Sequence, residues 1–216
     1  MIIKILSTKM PKLYTKTGDN GESSLFDGTR VSKTNKIFES LGNLDELIAH
    51  IGMVKAFWNE ELESCCIKIY NAPGAGAMFY RTEPSIVPHD YFGPPLYYEW
   101  FTLNIKMTSI QRNLMNMCAV IATDGTVQFD KELIDQIERD IDRLDSLTPP
   151  LTKFIVPSAN KLCSSIHVCR AVTRRTERSC QNESDTVCIY LNRLSDYFFA
   201  LSRFVAMTLG VCEDLN

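Results

Sequence analysis

Residues 191–205 read LNRLSDYFFALSRFV. Leu191, Leu194, Phe198, Leu201 and Val205 recur at steps of three and four, a heptad ladder that marks one face of an α-helix and packs helices nearly parallel. Working outward, the same period returns in Ile134, Ile137, Ile141 and Leu144, with Asp130, Glu132, Asp135, Glu138, Asp140 and Asp142 filling the exposed side. It returns again in Ile110, Leu114, Met117 and Ile121, and in Leu41, Leu44, Ile48 and Ile51. A further helix is expected from about Asn160 to Cys180, where Leu162, Ile166, Cys169, Thr173 and Cys180 form a less regular apolar face. No segment of comparable length alternates apolar and polar residues as a half-buried strand does. Five helices of this length predict an all-α fold, a five-helix bundle.

The chain has 216 residues, of which 45% are hydrophobic and 23% charged, so it has the length and composition to bury a core without metal or disulfide staples. A formal charge of −3 disfavours a nucleic acid partner held by backbone electrostatics. No window approaches the eighteen or so apolar residues of a membrane span. The eight cysteines show no CxxC and no repeated spacing, which reads as free thiols in a reducing compartment. The opening MIIKILSTKMPK is too short for a signal-peptide core and too poor in arginine for a clear transit peptide.

Two stretches break the helical pattern. Residues 1 to about 36 contain TKTGDNGESSLFDGTR, rich in turn formers. Residues from about 63 to 107 hold five of the nine prolines and nine of the twenty-one aromatics, a mixture that breaks helices and is too hydrophobic for a solvated linker. We read one domain over 1–216 with an irregular insertion at about 63–107, between the first and second helices.

Three constellations offer chemistry. In the first, Thr15, Thr17, Gly18, Asp19, Gly21, Ser23 and Ser24 combine turning backbone, amides and hydroxyls, and Lys16 or Lys33 can add charge, which suits a polyphosphate. The same residues also read as a hairpin turn near the N-terminus, and they are not a Walker A loop. In the second, Arg170, Arg174 and Glu177 lie within about 60 degrees of one another beside the apolar face, so partial burial is expected. With Arg175 and Arg178 they place four guanidiniums in nine residues, a density that a bound triphosphate compensates, as would pairing with the acidic helix at 130–145. In the third, Asn192 and Asp196 share a face with Arg193 three residues from Asp196, a pattern that hydrogen-bonds a nucleoside or forms a plain helix-surface ion pair. His50, His89 and His167 have no second ligand at metal-binding spacing, so no metal held by the protein is expected.

Taken in order, YTKTGDNGESSLF, FESLGNLDELIAHIG, FIVPSANK, CRAVTRRTER and YLNRLSDYFFALSRF resemble the propanediol-utilisation type (PduO-type) ATP:cob(I)alamin adenosyltransferases, over about 150 residues in two blocks flanking the insertion. The resemblance implies a helical bundle that forms a homotrimer with sites between subunits, and transfer of the adenosyl group of ATP to reduced cobalamin. It implies that Thr15, Lys16, Thr17, Gly18, Ser23, Ser24 and Lys33 hold the triphosphate, with Mg²⁺ bound mainly through ATP. By the same resemblance Arg174, Arg175, Glu177, Arg178 and Asn192 complete the nucleotide site, and Arg174 acts on the leaving group. Asp45 pairs with Arg170 across the subunit interface, and Phe154 closes the lower face of the corrin. A cobalamin reductant and an adenosylcobalamin-dependent mutase are the implied partners, in the mitochondrial matrix of a eukaryote or the cytoplasm of a bacterium. After Phe154 the family has a glycine-rich turn where this chain has Pro157, Ser158, Ala159 and Asn160, and Ala159 is the least suited to a positive φ. Two other readings share these motifs: a non-catalytic carrier of adenosylcobalamin, and an inactive chain in which 63–107 is translated non-coding sequence.

Overall fold

A computed structural model describes residues 14, 16–25, 27–70, 94–123, 126–181, 183–211 and 214–215. Among these residues five helices dominate: α1 Lys36–Tyr70, α2 Pro94–Ala122, α3 Glu132–Leu147, α4 Lys161–Ser179 and α5 Asp185–Leu209. Helix α4 packs on α1 and α5, α3 packs on α5, and α2 packs on α1. The ladder that opens the sequence argument is the centre of the bundle, since Leu191, Leu194, Phe198, Leu201 and Val205 are all fully buried. Apolar burial at this density is the main force holding the helices together.

Local chemistry fixes the helix ends. Asn160, extended at φ −139°, accepts the Cys163 amide on its side-chain oxygen at 2.8 Å and so caps the start of α4. Asp130 accepts the Glu132 amide at 2.9 Å just before α3. At the end of α5, Gly210 takes φ 63°, letting the Val211 amide reach the Ala206 carbonyl at 3.0 Å and the Gly210 amide reach Met207 at 3.1 Å.

Two short sheets depart from the purely helical expectation. Strands β1 Glu22–Ser24 and β2 Arg30–Ser32 form an antiparallel hairpin in register Glu22 to Ser32, and β3 Ile155–Val156 pairs antiparallel with β4 Asp214–Leu215. Strands of two or three residues carry too little alternation to be seen in sequence.

The expected irregular segment also needs correction. Residues 63–70 continue α1 and residues 94–107 open α2; residues 71–93 lie outside the described residues. Trp100, Leu103 and Met107 are core residues, at most 5% exposed. The Trp100 ring lies 4.7 Å from Trp58, and its Nε1 donates to Thr208 Oγ1 at 2.9 Å, so this turn of α2 joins α1 and α5. Paired prolines fit the first turn of a helix, where no backbone donor is required, and so they open α2 rather than interrupt it. Cys118, Cys163, Cys169, Cys180 and Cys188 are free thiols, and burial pushes Cys169 up to about 12, a structural rather than a reactive setting.

Candidate active site

The N-terminal loop is built around the β1–β2 hairpin. Gly21, at φ 81°, accepts the Lys33 amide on its carbonyl at 2.8 Å and brings the end of the hairpin back to the loop. A Cβ on Gly18 would stand 3.2 Å from Lys33 Nζ and 3.3 Å from the Glu22 carbonyl oxygen, so the absence of a side chain lets the ammonium lie over the turn. Arg30 donates to the Thr17 carbonyl at 2.6 Å and to Ser24 Oγ at 3.4 Å, and lies 3.6 Å from Glu22. Lys16, Thr17, Ser24 and Lys33 are exposed, and Gly18 and Ser23 are half-buried. Both readings of the sequence meet here, because the hairpin is real and its leading turn presents donors to solvent. Thr15 lies outside the described residues.

Helix α4 supplies the arginines. Arg170 is half-buried and its Nε is buried without a hydrogen-bond partner among the described residues, whereas Asp45 on α1 is exposed. No ion pair joins the two within the chain. Arg174, expected to be partly buried, is exposed, because it lies on the solvent side of the α4–α5 seam. Neither Arg174 nor Arg178 has a carboxylate within ion-pair distance among the described residues; Arg178 Nη1 instead donates to the Arg174 carbonyl at 3.0 Å. The alternative pairing of these arginines with the acidic helix fails on topology, since α3 lies on α5. Arg175 points the other way, its Nη2 bonded to Glu46 and its Nε donating to Asn43 Oδ1 at 3.2 Å. The Arg175 bond holds the Glu46 carboxyl below the usual range.

Across the seam, Asn192 on α5 donates from Nδ2 to Glu177 Oε1 at 3.1 Å and accepts on Oδ1 from Arg193 Nη1 at 2.7 Å. Arg193 does not pair with Asp196 as its spacing invites; its Nε donates to Glu138 Oε1 of α3 at 2.7 Å. Deeper in the seam His167 is buried against Phe199, ring centroids 6.4 Å apart, and burial with the nearby Arg170 charge lowers its pKa to about 4. Phe154 precedes β3 and is 84% exposed, the most exposed large apolar side chain described. The turn after it keeps a positive φ without glycine, as Ala159 sits at φ 70°.

Within one chain the hairpin packs on itself, and α4 packs on α1 and α5. Among the described residues no hydrogen bond or ion pair links the loop donors to the α4 arginines. Sequence reading missed Arg30, Glu138, Asn43 and Glu46, whose signals are tertiary: each reaches its partner from a different element or across a turn.

The chain as a whole has relatives among known proteins. Residues 13–74 and 94–205 match the family described as cobalamin adenosyltransferase. The chain belongs to the cobalamin adenosyltransferase family. Its match to that family passes over residues 75–93. It is 33% identical over 224 residues to corrinoid adenosyltransferase MMAB of Mus musculus, covering 97% of this chain and 78% of that one. It is 31% identical over 209 residues to the corrinoid adenosyltransferase of Bacillus subtilis, covering 93% and 89%. A variant PduO-type ATP:corrinoid adenosyltransferase from Lactobacillus reuteri, complexed with cobalamin and ATP, superposes with a TM-score of 0.71 at 25% identity, covering 95% of this chain and 96% of that one. As in that relative, the cobalamin adenosyltransferase fold here is helical, and no helix of the described residues is long and apolar enough to cross a membrane.

Proposed function

We propose that this chain transfers the 5′-deoxyadenosyl group of ATP to cob(I)alamin, forming adenosylcobalamin and releasing triphosphate. The observation that carries the reading is the pair Arg174 and Arg178, exposed one turn apart on α4 with no carboxylate partner among the described residues, beside the Glu177–Asn192 bond. Such a pair suits a polyanion, and a carrier of the finished product has no use for it.

The reacting carbon–cobalt bond forms when the nucleophilic Co(I) centre of the substrate attacks C5′ of the ribose, and the C5′–oxygen bond breaks with its electron pair leaving on triphosphate. The chemistry asks no nucleophile or general base of the chain. It holds the two substrates in line, and Arg174 meets charge that grows on the leaving oxygen. In this reading Thr15, Lys16, Thr17, Gly18, Ser23, Ser24 and Lys33 grip the phosphates together with Arg174 and Arg178, while Asn192 and Glu177 shape the nucleoside side and Arg175 braces α1 against α4. Mg²⁺, on the same reading, is held mainly through the phosphate oxygens of ATP. Again in this reading Phe154, whose ring is exposed, covers the lower corrin face and keeps water from cobalt.

The Arg170 Nε, buried without a partner among the described residues, and the exposed Asp45 together support a site closed by a second subunit, with Asp45 and Arg170 paired across the interface of a homotrimer. A cobalamin reductant supplies Co(I), and an adenosylcobalamin-dependent mutase takes the product. The compartment is the mitochondrial matrix in a eukaryote or the cytoplasm in a bacterium.

Arg174→Ala tests the central claim. Transfer assayed with chemically reduced cobalamin should fall by about 10² to 10³ in kcat, the usual effect of removing one transition-state donor. Helical circular dichroism and melting temperature should stay at wild-type values, because Arg174 has no ion pair to lose among the described residues. Near-normal turnover would remove it from the mechanism.

A further inference from the structure

We propose that Glu138, on α3, is a positioning residue for ATP: acting through Arg193, it fixes which way the Asn192 amide faces. The inference rests on the reading of Asn192 as part of the nucleotide site. A side-chain amide has a donor end and an acceptor end of nearly the same shape, and only its partners decide which is which. Here both ends are decided. Glu177 Oε1, an acceptor, holds Nδ2 at 3.1 Å, and Arg193 Nη1, a donor, holds Oδ1 at 2.7 Å.

Each bond uses only part of the amide's capacity. Nδ2 keeps a second hydrogen and Oδ1 a second lone pair, so one donor and one acceptor remain side by side for a ligand that offers both, such as a ribose hydroxyl or a purine edge. A reversed amide would present them in the opposite order and would also set Nδ2 against the Arg193 donor.

Arg193 does not take this position on its own account. Neighbouring residues on a helix point about 100 degrees apart, and the favourable helical partner for Arg193 is Asp196, three positions on. Glu138 wins that competition by accepting from Arg193 Nε at 2.7 Å, which leaves Nη1 turned toward Asn192. The Arg193 and Glu138 side chains are 39% and 44% exposed, so their pairing contributes little to global stability and its removal should leave the bundle standing. Glu138 thus links α3, which bears none of the motif residues, to the nucleotide seam.

The test uses the full chain and three variants, Glu138→Gln, Arg193→Gln and the double substitution. ATP affinity with Mg²⁺ is measured by calorimetry, and transfer by steady-state kinetics with chemically reduced cobalamin. Glu138→Gln should weaken ATP binding and raise its KM by about fivefold, the net worth of one hydrogen bond, with kcat within about twofold. The KM for cobalamin and the melting temperature should not move. The double variant should bind ATP no more weakly than Arg193→Gln alone, because both act through one contact. Unchanged ATP affinity in Glu138→Gln, or a full additional loss in the double variant, overturns the proposal. If the wild-type chain binds ATP but fails to transfer, the transfer reading falls while the affinities still decide the role of Glu138; if it binds no ATP, both fall.

Discussion

Ala159 occupies backbone space that L-residues avoid, φ 70°, in the turn that carries the chain from Phe154 and β3 into α4. Its neighbours hold it there: Ser158 Oγ donates to the Val156 carbonyl at 3.2 Å, Ser164 Oγ donates to the Ser158 carbonyl at 3.0 Å, and Asn160 caps the helix. The left-handed conformation costs an alanine about 1 to 2 kcal/mol, and the extra freedom of an unfolded glycine returns about half of that. Ala159→Gly should therefore stabilise the chain by about 0.5 kcal/mol, read as a rise in the urea midpoint at constant slope. A lower midpoint would mean that the turn is not strained at this residue. His167 makes a second prediction. Its pKa of about 4 in the folded chain lies below the usual unfolded value near 6.5, so the unfolded state takes up the proton first. The stability present above about pH 6.5 should fall as pH drops toward 4, by at most about 1.4 kcal/mol per unit from this one group. Unfolding followed against pH should show that fall in wild type and a shallower one in His167→Gln; identical curves would clear His167 of the effect.

The helices show where sequence alone suffices. The period of Leu191 to Val205 announces α5, and every member of that stripe is buried, because a helix that packs on three sides leaves no choice about which residues face inward. The capping role of Asn160 and the stop at Gly210 are equally local. What the sequence could not show is pairing between elements. Arg193 is three residues from Asp196 yet bonds Glu138, fifty-five positions away, because the packing of α3 on α5 decides which carboxylate is near. Proline content likewise hid the opening turns of α2, although Trp100 and Met107 share the helical period of Ile110 and Leu114. Of the candidate site, the residue types were legible in the glycine turn and the arginine run, but the exposure of Arg174 and the diversion of Arg175 to Glu46 depend on which helices pack beside α4. Trp100→Ala measures how far α2's first turns support the bundle. It should cost about 3 to 5 kcal/mol, visible in chemical unfolding, because it removes a buried indole, its contact with Trp58 and its bond to Thr208. A cost near zero would place this turn outside the core.

At the scale of the whole molecule, the family match omits 75–93 while α1 and α2 on either side are packed together. Replacing 75–93 by a short Gly/Ser linker should leave ATP binding and transfer near wild type, since each doubling of a connection's length changes closure entropy by only about 0.6 kcal/mol. The wider replacement of 63–107 should abolish folding, for it deletes Trp100, Leu103 and Met107 from the core. Comparing the two by circular dichroism and calorimetric ATP titration separates dispensable chain from bundle; loss of ATP binding in the shorter deletion, with helicity retained, would place 75–93 in the site.

The contact between Trp58 and Trp100 has an optical consequence. These are the two tryptophans of the chain, and their rings lie 4.7 Å apart in the core between α1 and α2. Their transition dipoles are close enough to couple, so near-ultraviolet circular dichroism and intrinsic emission both report on a single junction. A native-state loosening of α2 from α1 would change this signal before far-ultraviolet ellipticity falls, giving an unlabelled spectroscopic gauge for that end of the bundle.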